Sequence, residues 1–270
     1  MIGKLLIDHI RNNVPDSEIA VLLSGGVDSI SAGLAAYHAG KKVHAYSFRL
    51  DMHNSYDIQK AEEVAKYMGW EFTPIIVPTD NLEQDWITLA NLGCKKKTHF
   101  ECVFPFLYVY PHIIEKYVVT GWGADGYYGV SKKAQIHYKH TKQKLDQFRD
   151  NYYLPENSAG LLKHLTVTEK YGKVMINPFL DVDVKDFFYS MDWYELNKPY
   201  QKHHVRDAFK EFKDIVVKPH LNLQLNSKIN VAFETLLNSK KINFNNRKRM
   251  MDVARDWNEN GTTSLERFMK

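Results

Sequence analysis

The 270-residue chain has a net charge of +4, with 44% hydrophobic and 25% charged residues. This composition is ordinary for a globular protein, and the length is ample for a buried core. The positive excess is too small to imply a nucleic-acid partner, although it suits an anionic ligand. Cys94 and Cys102 form no CxxC pair, which favours reduced thiols over a zinc site.

The sequence predicts a cytoplasmic protein without a membrane partner. The N-terminal segment carries Asp8 within its apolar stretch and has no small-residue cleavage site, unlike a signal peptide. The longest apolar run, residues 102–114, is interrupted by Pro105 and Pro111. A membrane-spanning helix needs about 20 apolar residues.

Strand and helix signals alternate through the first half of the chain. A stretch of small residues over positions 30–39, ended by Gly40, predicts one helix. A second is predicted by the i, i+3, i+4, i+7 spacing of apolar residues at positions 61, 64, 65 and 68, and Gly69 ends it. The predicted strands cover residues 19–23, 43–48, 72–77 and 117–121. Short connections between alternating strands and helices are typical of a parallel, doubly wound α/β sheet.

Strand signals become sparse from about residue 131. Val205, Ala208, Phe209 and Phe212 repeat a helical pattern, and residues 229–238 and 247–257 also favour helices. The sequence therefore predicts an α/β core over residues 1–130 and a mostly helical part over residues 131–270. No Gly/Ser-rich linker separates them, so we expect the two parts to pack as one unit.

The strongest motif is the hexapeptide from Ser24 to Ser29, SGGVDS, between a strand and a helix. Gly25 and Gly26 let the backbone approach a phosphate closely, and the following helix N-terminus attracts an anion. A carboxylate such as Asp28 beside a pyrophosphate implies an intervening Mg²⁺ ion. The motif is not a Walker A sequence, because no Gly-Lys-Ser/Thr follows.

SGGVDS resembles the pyrophosphate loop of the PP-loop ATP pyrophosphatase superfamily. The resemblance implies a doubly wound, HUP-like nucleotide-binding fold. It also implies an enzyme that cleaves ATP between the α- and β-phosphates and leaves an adenylated substrate.

Four later segments resemble asparagine synthetases in particular. In the first, Ser47 and Phe48 close the second predicted strand, and the resemblance implies that the end of this strand meets adenine. Residues 118–126, VVTGWGADG, are similar to a stretch containing the family motif SGEGADE, and residues 178–181 match the PFLD segment shared with β-lactam synthetases. Residues 201–209 resemble a helix of the form Lys-x-x-Leu-Arg-x-x-Phe. We assign Asp181 only the role of a helix N-cap.

The resemblance implies a role for each matching residue. Asp28 and Asp125 would hold Mg²⁺ and act in catalysis, and Lys202 would contact the α-phosphate and pyrophosphate. If residues 201–209 are helical, Lys202 and Arg206 are i, i+4 neighbours that can face one anion. The predicted nucleotide-binding residues are Ser24, Gly25, Gly26, Val27, Ser29, Ser47, Phe48, Gly121 and Arg206.

Two features depart from the family pattern. Trp122 and Gly126 stand where the family has the two glutamates of SGEGADE, so the identity of the nucleophile is open, and Trp122 becomes a candidate for the acceptor pocket. Residue 2 is Ile2 rather than a catalytic cysteine, and we expect no glutaminase domain. Ammonia, an amine substrate or a separate donor protein would then supply the nitrogen.

The sequence thus predicts an AMP-forming ligase that uses ATP and Mg²⁺ to join a small carboxylate to an amine or ammonia. Two alternatives stay open. One is a PP-loop enzyme that modifies a nucleobase or nucleic acid, and the other is a non-catalytic nucleotide-binding module.

Overall fold

A computed structural model describes residues 1–94, 97–154, 161–217 and 223–239. Its centre is a five-stranded sheet in the order β3-β2-β1-β4-β5, in which every neighbouring pair is parallel. The strands are β1 Glu18–Leu22, β2 Lys42–Leu50, β3 Glu71–Val77, β4 Tyr117–Val119 and β5 Val174–Ile176. The parallel sheet predicted from the sequence is confirmed.

Helices surround the sheet and form most of the second half that the structure describes. In chain order they are α1 Ile2–Asn13, α2 Val27–His38, α3 Tyr56–Met68, α4 Leu82–Asn91, α5 Lys97–Val103, α6 Phe106–Val109, α7 Ala124–Tyr128, α8 Lys132–His137, α9 Lys142–Tyr153, α10 Leu161–Lys170, α11 Val182–Tyr189, α12 Trp193–Asn197, α13 His203–Ala208, α14 Leu223–Asn226 and α15 Ile229–Ser239. Short 3₁₀ helices cover Tyr110–His112, Pro178–Leu180 and Lys210–Lys213. The helix predicted over 247–257 lies outside the described residues.

The two faces of the sheet are buried in separate hydrophobic clusters. Along β1, Ile19 and Val21 join a cluster with α1 and α2, whereas Ala20 between them joins a cluster containing Trp86 and Phe100. Because successive strand residues point to opposite faces, a continuous apolar strand needs helices on both sides. The fold is therefore doubly wound, as predicted.

The order of strands places a crevice beside β1. From β1 the chain proceeds to β2 and β3 on one side, and β4 and β5 lie on the other. In open parallel sheets, ligands bind at such a reversal, beyond the carboxyl ends of the strands. The loops that follow β1 and β4 meet there.

Strand β5 was not predicted, although it belongs to the second half of the chain. Its three residues, Val174–Ile176, pair with β4 in the same sheet. A segment this short lacks the alternation or apolar run that identifies a longer strand.

The single helix expected through Val205, Ala208, Phe209 and Phe212 is wrong. Helix α13 ends at Ala208, and Phe209 is extended with φ −123° and ψ 116° before a 3₁₀ helix begins. Both phenylalanines are nevertheless buried, and Phe209 stacks on His38 with ring centroids 5.8 Å apart. Burial of both rings explains why the sequence shows helical spacing here although the segment is not one continuous helix.

No helix within the described residues is long and apolar enough to cross a membrane.

Candidate active site

A cavity of about 470 Å³ opens at the carboxyl ends of β1, β2 and β4. The SGGVDS loop, the end of β2, the start of α3 and the turn after β4 contribute most of its wall. Of the predicted nucleotide-binding residues, those that line the cavity are Ser24, Gly25, Gly26, Ser29, Ser47, Phe48 and Gly121. Their binding roles stay predictions, but the fold brings them together.

The loop after β1 is shaped by its own hydroxyl groups. Ser29 Oγ donates to the carbonyl of Gly26 at 3.0 Å and accepts from the backbone N–H of Ser24 at 3.2 Å. The Oγ atoms of Ser24 and Ser29 lie 3.1 Å apart. Gly26 is the N-cap of α2, and Val27 and Asp28 form its first turn. The helix N-terminus therefore faces the cavity, as an anion site requires.

Gly25 allows another element to lie directly on this loop. It has a φ of +72°, and a Cβ placed on it would lie 2.4 Å from Cγ of Lys60. A side chain at position 25 would therefore be strained by its backbone and would collide with α3.

Gly121 brings the turn after β4 against the same loop. A Cβ at position 121 would lie 2.6 Å from the carbonyl carbon of Asp28 and 2.7 Å from the backbone nitrogen of Ser29. Only a glycine permits this approach, which sets Asp125 of α7 beside Asp28.

Segments from the second half of the chain hold the turn after β4 in place. The Thr120 hydroxyl donates to the side chain of Asn177 and accepts from the backbone N–H of Trp122. The Tyr153 hydroxyl of α9 donates to the carbonyl of Gly123. Residues 178–181 come directly after Asn177 in the chain. Asp181 caps α11 by accepting a hydrogen bond from the backbone N–H of Asp183. The N-cap role predicted for Asp181 is confirmed.

Lys202 joins the two predicted metal ligands. Its Nζ atom lies 2.6 Å from Asp28 Oδ2 and 2.6 Å from Asp125 Oδ1, and 5.4 Å from the centre of the Tyr128 ring. Burial alone would lower the pKa of Lys202, but the charges of Asp28 and Asp125 outweigh it and raise the pKa above its usual range. Lys202 is thus a fixed cation between two carboxylates.

Asp28 and Asp125 suit a metal that takes few protein ligands. No group of three or more His, Cys, Asp and Glu side chains in the described ranges could hold a metal ion. Mg²⁺ is commonly bound by one or two carboxylates together with phosphate and water oxygens. The two carboxylates converge on one cation already, so the donor set fits Mg²⁺ with a nucleotide.

Lys202 and Arg206 do not form the predicted helical pair. Lys202 precedes α13 with a φ of 61°, a backbone region that few residues other than glycine adopt. The Arg206 guanidinium lies 4.8 Å from the centre of the Tyr200 ring, and Arg206 is not among the residues that line the cavity. Its contact with nucleotide stays a prediction.

Trp122 lines the cavity at the position of the family glutamate. Its ring is edge-on to His164, with centroids 5.3 Å apart. His164 is fully buried, and this burial lowers its pKa to about 3, while its Nε2 lies 2.7 Å from the Tyr110 hydroxyl. A rigid, neutral histidine therefore supports Trp122 from one side.

The second departure, Gly126, has a packing cause. A Cβ at this position would lie 2.4 Å from the Tyr152 ring and 2.7 Å from the Tyr153 hydroxyl. Tyrosines of α9 therefore occupy the space that a glutamate side chain would need.

Several residues that line the cavity were not predicted from the sequence. These are Asp57 and Lys60 of α3, Cys102 of α5, Phe106 of α6 and Tyr152 of α9. Lys60 could have been noticed, because it lies four residues before Val64 and thus on the buried face of α3. The others come from helices whose approach to the sheet is set by tertiary packing.

Residues 2–173 match the family model described as asparagine synthase. The chain belongs to the asparagine synthase family. Members of the family are ATP-using enzymes of the PP-loop superfamily, so the predicted family is confirmed. The matched residues include SGGVDS and residues 118–126, whereas residues 178–181 and 201–209 lie beyond the match.

A shorter stretch is similar to a 7-cyano-7-deazaguanine synthase of Prochlorococcus marinus (strain MIT 9303), with 44% identity over 54 residues. The match spans 20% of this chain and 24% of that enzyme. It agrees with membership of the superfamily. It covers too little of either chain to transfer an activity.

Two solved structures are also similar to the chain. One is NMN synthetase from Francisella tularensis, at 16% identity and a TM-score of 0.37, covering 82% of this chain and 98% of that one. The other is a predicted subunit of tRNA methyltransferase from Methanocaldococcus jannaschii, at 13% identity and a TM-score of 0.34, covering 65% and 75%. Neither likeness informs the function.

Proposed function

We propose that this protein is an AMP-forming ligase that adenylates a carboxylate and transfers the acyl group to an amine or to ammonia. The observation that carries the proposal is the contact of Lys202 with both Asp28 and Asp125 beside the SGGVDS loop. A buried cation between two carboxylates, next to a helix N-terminus, suits the stabilisation of charge on a reacting triphosphate.

In the first step a substrate carboxylate oxygen attacks the α-phosphorus of ATP. The new bond joins that oxygen to phosphorus, and the bond between the α-phosphorus and its bridging oxygen to the β-phosphate breaks, which releases pyrophosphate. The loop from Ser24 to Ser29 binds and orients the phosphates. Lys202 stabilises the negative charge that builds up as pyrophosphate leaves. Mg²⁺ held by Asp28 and Asp125 would add positive charge at the same phosphates.

In the second step an amine nitrogen attacks the acyl carbon of the adenylate. The bond between that carbon and the AMP oxygen breaks, AMP leaves, and the nitrogen loses a proton. Trp122 cannot accept that proton. We infer that the amine attacks in its unprotonated form and that the proton it loses on forming the amide passes to solvent. Ammonia, a small amine or a separate donor protein supplies the nitrogen.

The experiment that tests this proposal is product analysis with panels of carboxylates and amines. Pyrophosphate release and AMP formation that depend on one carboxylate, together with an amide found by mass spectrometry, would support the proposal. Nucleotide binding without turnover for every panel member would instead favour a non-catalytic module.

A second candidate is an enzyme of the same chemistry whose substrate contains a nucleobase. Trp122 lines this cavity where the family motif has a glutamate, and aromatic rings stack well on tryptophan. The similar stretch of a 7-cyano-7-deazaguanine synthase points the same way. Including heteroaromatic carboxylates and nucleosides in the substrate panel would decide between the two candidates.

A further inference from the structure

Lys60 is a buried lysine in the wall of the active-site cavity. It lies in the second turn of α3, is 5% exposed, and lines the cavity together with Ser55, Tyr56 and Asp57. Its aliphatic chain rests on the phosphate loop so closely that a Cβ on Gly25 would lie 2.4 Å from its Cγ. Neither the sequence motifs nor the family resemblance gives this lysine a role.

The burial of Lys60 is poorly explained by its contacts within the protein. Its ammonium lies 3.1 Å from Glu63 Oε2, three residues along the same helix, and the Glu63 side chain is 65% exposed. An ion pair with so exposed a partner contributes at most about 1 kcal/mol, whereas the ammonium of Lys60, whose side chain is only 6% exposed, loses much of its hydration. A ligand anion in the cavity would supply the missing compensation.

The charged side chains of the cavity wall leave an anionic ligand few basic partners. Among the described residues that line it, Asp28, Asp57 and Asp125 are acidic, and Lys60 is the only lysine, arginine or histidine. Lys202 lies nearby, but its ammonium is shared between Asp28 and Asp125. A polyphosphate that enters the cavity therefore meets one further cation, and that cation is on α3.

We propose that Lys60 binds the β- and γ-phosphates of ATP, and the pyrophosphate product, from the α3 side of the SGGVDS loop. Lys202 acts from the other side, where Asp28 and Asp125 lie. The loop then carries its pyrophosphate group between two lysines that come from different parts of the chain. The inference rests on the proposed use of ATP, but not on which carboxylate or amine reacts.

The test is a comparison of binding affinities by calorimetry with Mg²⁺ and three probes: ATP, inorganic pyrophosphate and AMP. Lys60→Met keeps most of the aliphatic packing and removes the charge. A charge-assisted hydrogen bond contributes about 1.5–3 kcal/mol, so affinity for ATP and pyrophosphate should fall by roughly 10- to 100-fold. Affinity for AMP, which lacks both phosphates, should change little. Lys60→Arg should retain most of the affinity for pyrophosphate.

The matched control is Lys66→Met, an exposed lysine on the same helix, which should bind all three probes like the wild type. Lys60→Gln provides a second uncharged variant if Lys60→Met unfolds. Wild-type pyrophosphate affinity in a folded Lys60 variant would overturn the proposal, and so would equal losses for AMP and ATP, which would indicate a packing role. No carboxylate or amine is present, so a failed search for ligase activity leaves this result intact. Normal phosphate binding without AMP formation would count only against the proposed function.

Discussion

Lys202 Nζ lies 2.6 Å from a carboxylate oxygen of Asp28, although 174 residues separate the two in sequence. The same ammonium lies 2.6 Å from Asp125. The contact with Asp28 joins Lys202, which precedes α13, to the loop after β1. The contact with Asp125 joins Lys202 to α7. The three charged groups therefore depend on one another, and each can be removed separately.

The first prediction concerns the two carboxylates. Asp28→Asn and Asp125→Asn should each lower AMP-forming turnover by more than about 100-fold, because each removes a key electrostatic group. EDTA should abolish turnover of the wild-type protein, and added Mg²⁺ should restore it. Turnover is measured as pyrophosphate release. Undiminished activity in EDTA would contradict a role for Mg²⁺.

The second prediction concerns the bond of ATP that breaks. The SGGVDS loop differs from a Walker A loop, so ATP labelled in the α-phosphate should yield AMP, and ATP labelled in the γ-phosphate should yield labelled pyrophosphate. Chromatography of the products measures both. ADP and orthophosphate as main products would contradict the proposed reaction.

The third prediction separates binding from rate at Lys202. Lys202→Ala should slow adenylate formation more than it weakens ATP binding, because interactions that strengthen in the transition state affect rate most. Single-turnover kinetics and equilibrium binding measure the two effects. Lys210→Ala, at an exposed position, is the control.

Thermal unfolding must accompany the Lys202 experiment, because the variant leaves Asp28 and Asp125 facing each other without their cation. A folded Lys202→Ala protein that forms adenylate at the wild-type rate would contradict the assigned role.

The fourth prediction concerns Trp122. Trp122→Ala should leave ATP affinity nearly unchanged and should alter which acceptor is used or slow the second step, since the residue stands where the family motif has a glutamate. Trp122→Phe, which retains an aromatic face, should resemble the wild type more closely. Adenylate formation and amide formation are measured separately. Loss of ATP binding in Trp122→Ala would assign the indole to the nucleotide site.

The fifth prediction concerns stability and pH at Asp85, a residue of α4. Burial raises the pKa of Asp85 to about 6, although the Tyr108 hydroxyl donates to both carboxylate oxygens. Because the folded-state pKa is the higher one, the protonated acid stabilises the fold below about pH 4. This stabilisation is lost as the pH rises through about 6.

Asp85→Asn should remove this pH dependence. The raised pKa of Asp85 corresponds to up to about 3 kcal/mol. Between pH 4 and pH 7 the wild type should therefore lose up to about 3 kcal/mol of unfolding free energy relative to Asp85→Asn. Urea unfolding at both values measures it, with the exposed Asp16→Asn as control. Parallel pH profiles for wild type and Asp85→Asn would count against a raised pKa.

The sequence predicted the parts of the molecule whose signals are local. The first four strands are apolar runs bounded by turn residues, and SGGVDS combines its loop and helix N-terminus in six adjacent residues. That Asp28 and Lys202 serve one site followed only from the family resemblance, because no local pattern joins positions so far apart in sequence, and their direct contact was not predicted. Strand β5 was too short to recognise.

Other errors and omissions arose where tertiary packing determines the local conformation. Phe209 is extended and stacks on His38, which ends α13 one residue earlier. Lys202 lies before the helix rather than on its face, with a positive φ, and it contacts both Asp28 and Asp125 from there. The tyrosines that exclude a side chain at Gly126 come from α9, so the sequence next to Gly126 could not predict them.

The pairing of β5 with β4 has a consequence for how the protein is made. On the ribosome, the first 130 residues emerge before β5 exists, and until Val174–Ile176 arrives the outer edge of β4 has unsatisfied backbone groups. Exposed strand edges of this kind favour association between chains. A protein shortened after residue 130 would keep that open edge permanently, and we expect it to aggregate rather than to persist as an independent nucleotide-binding unit.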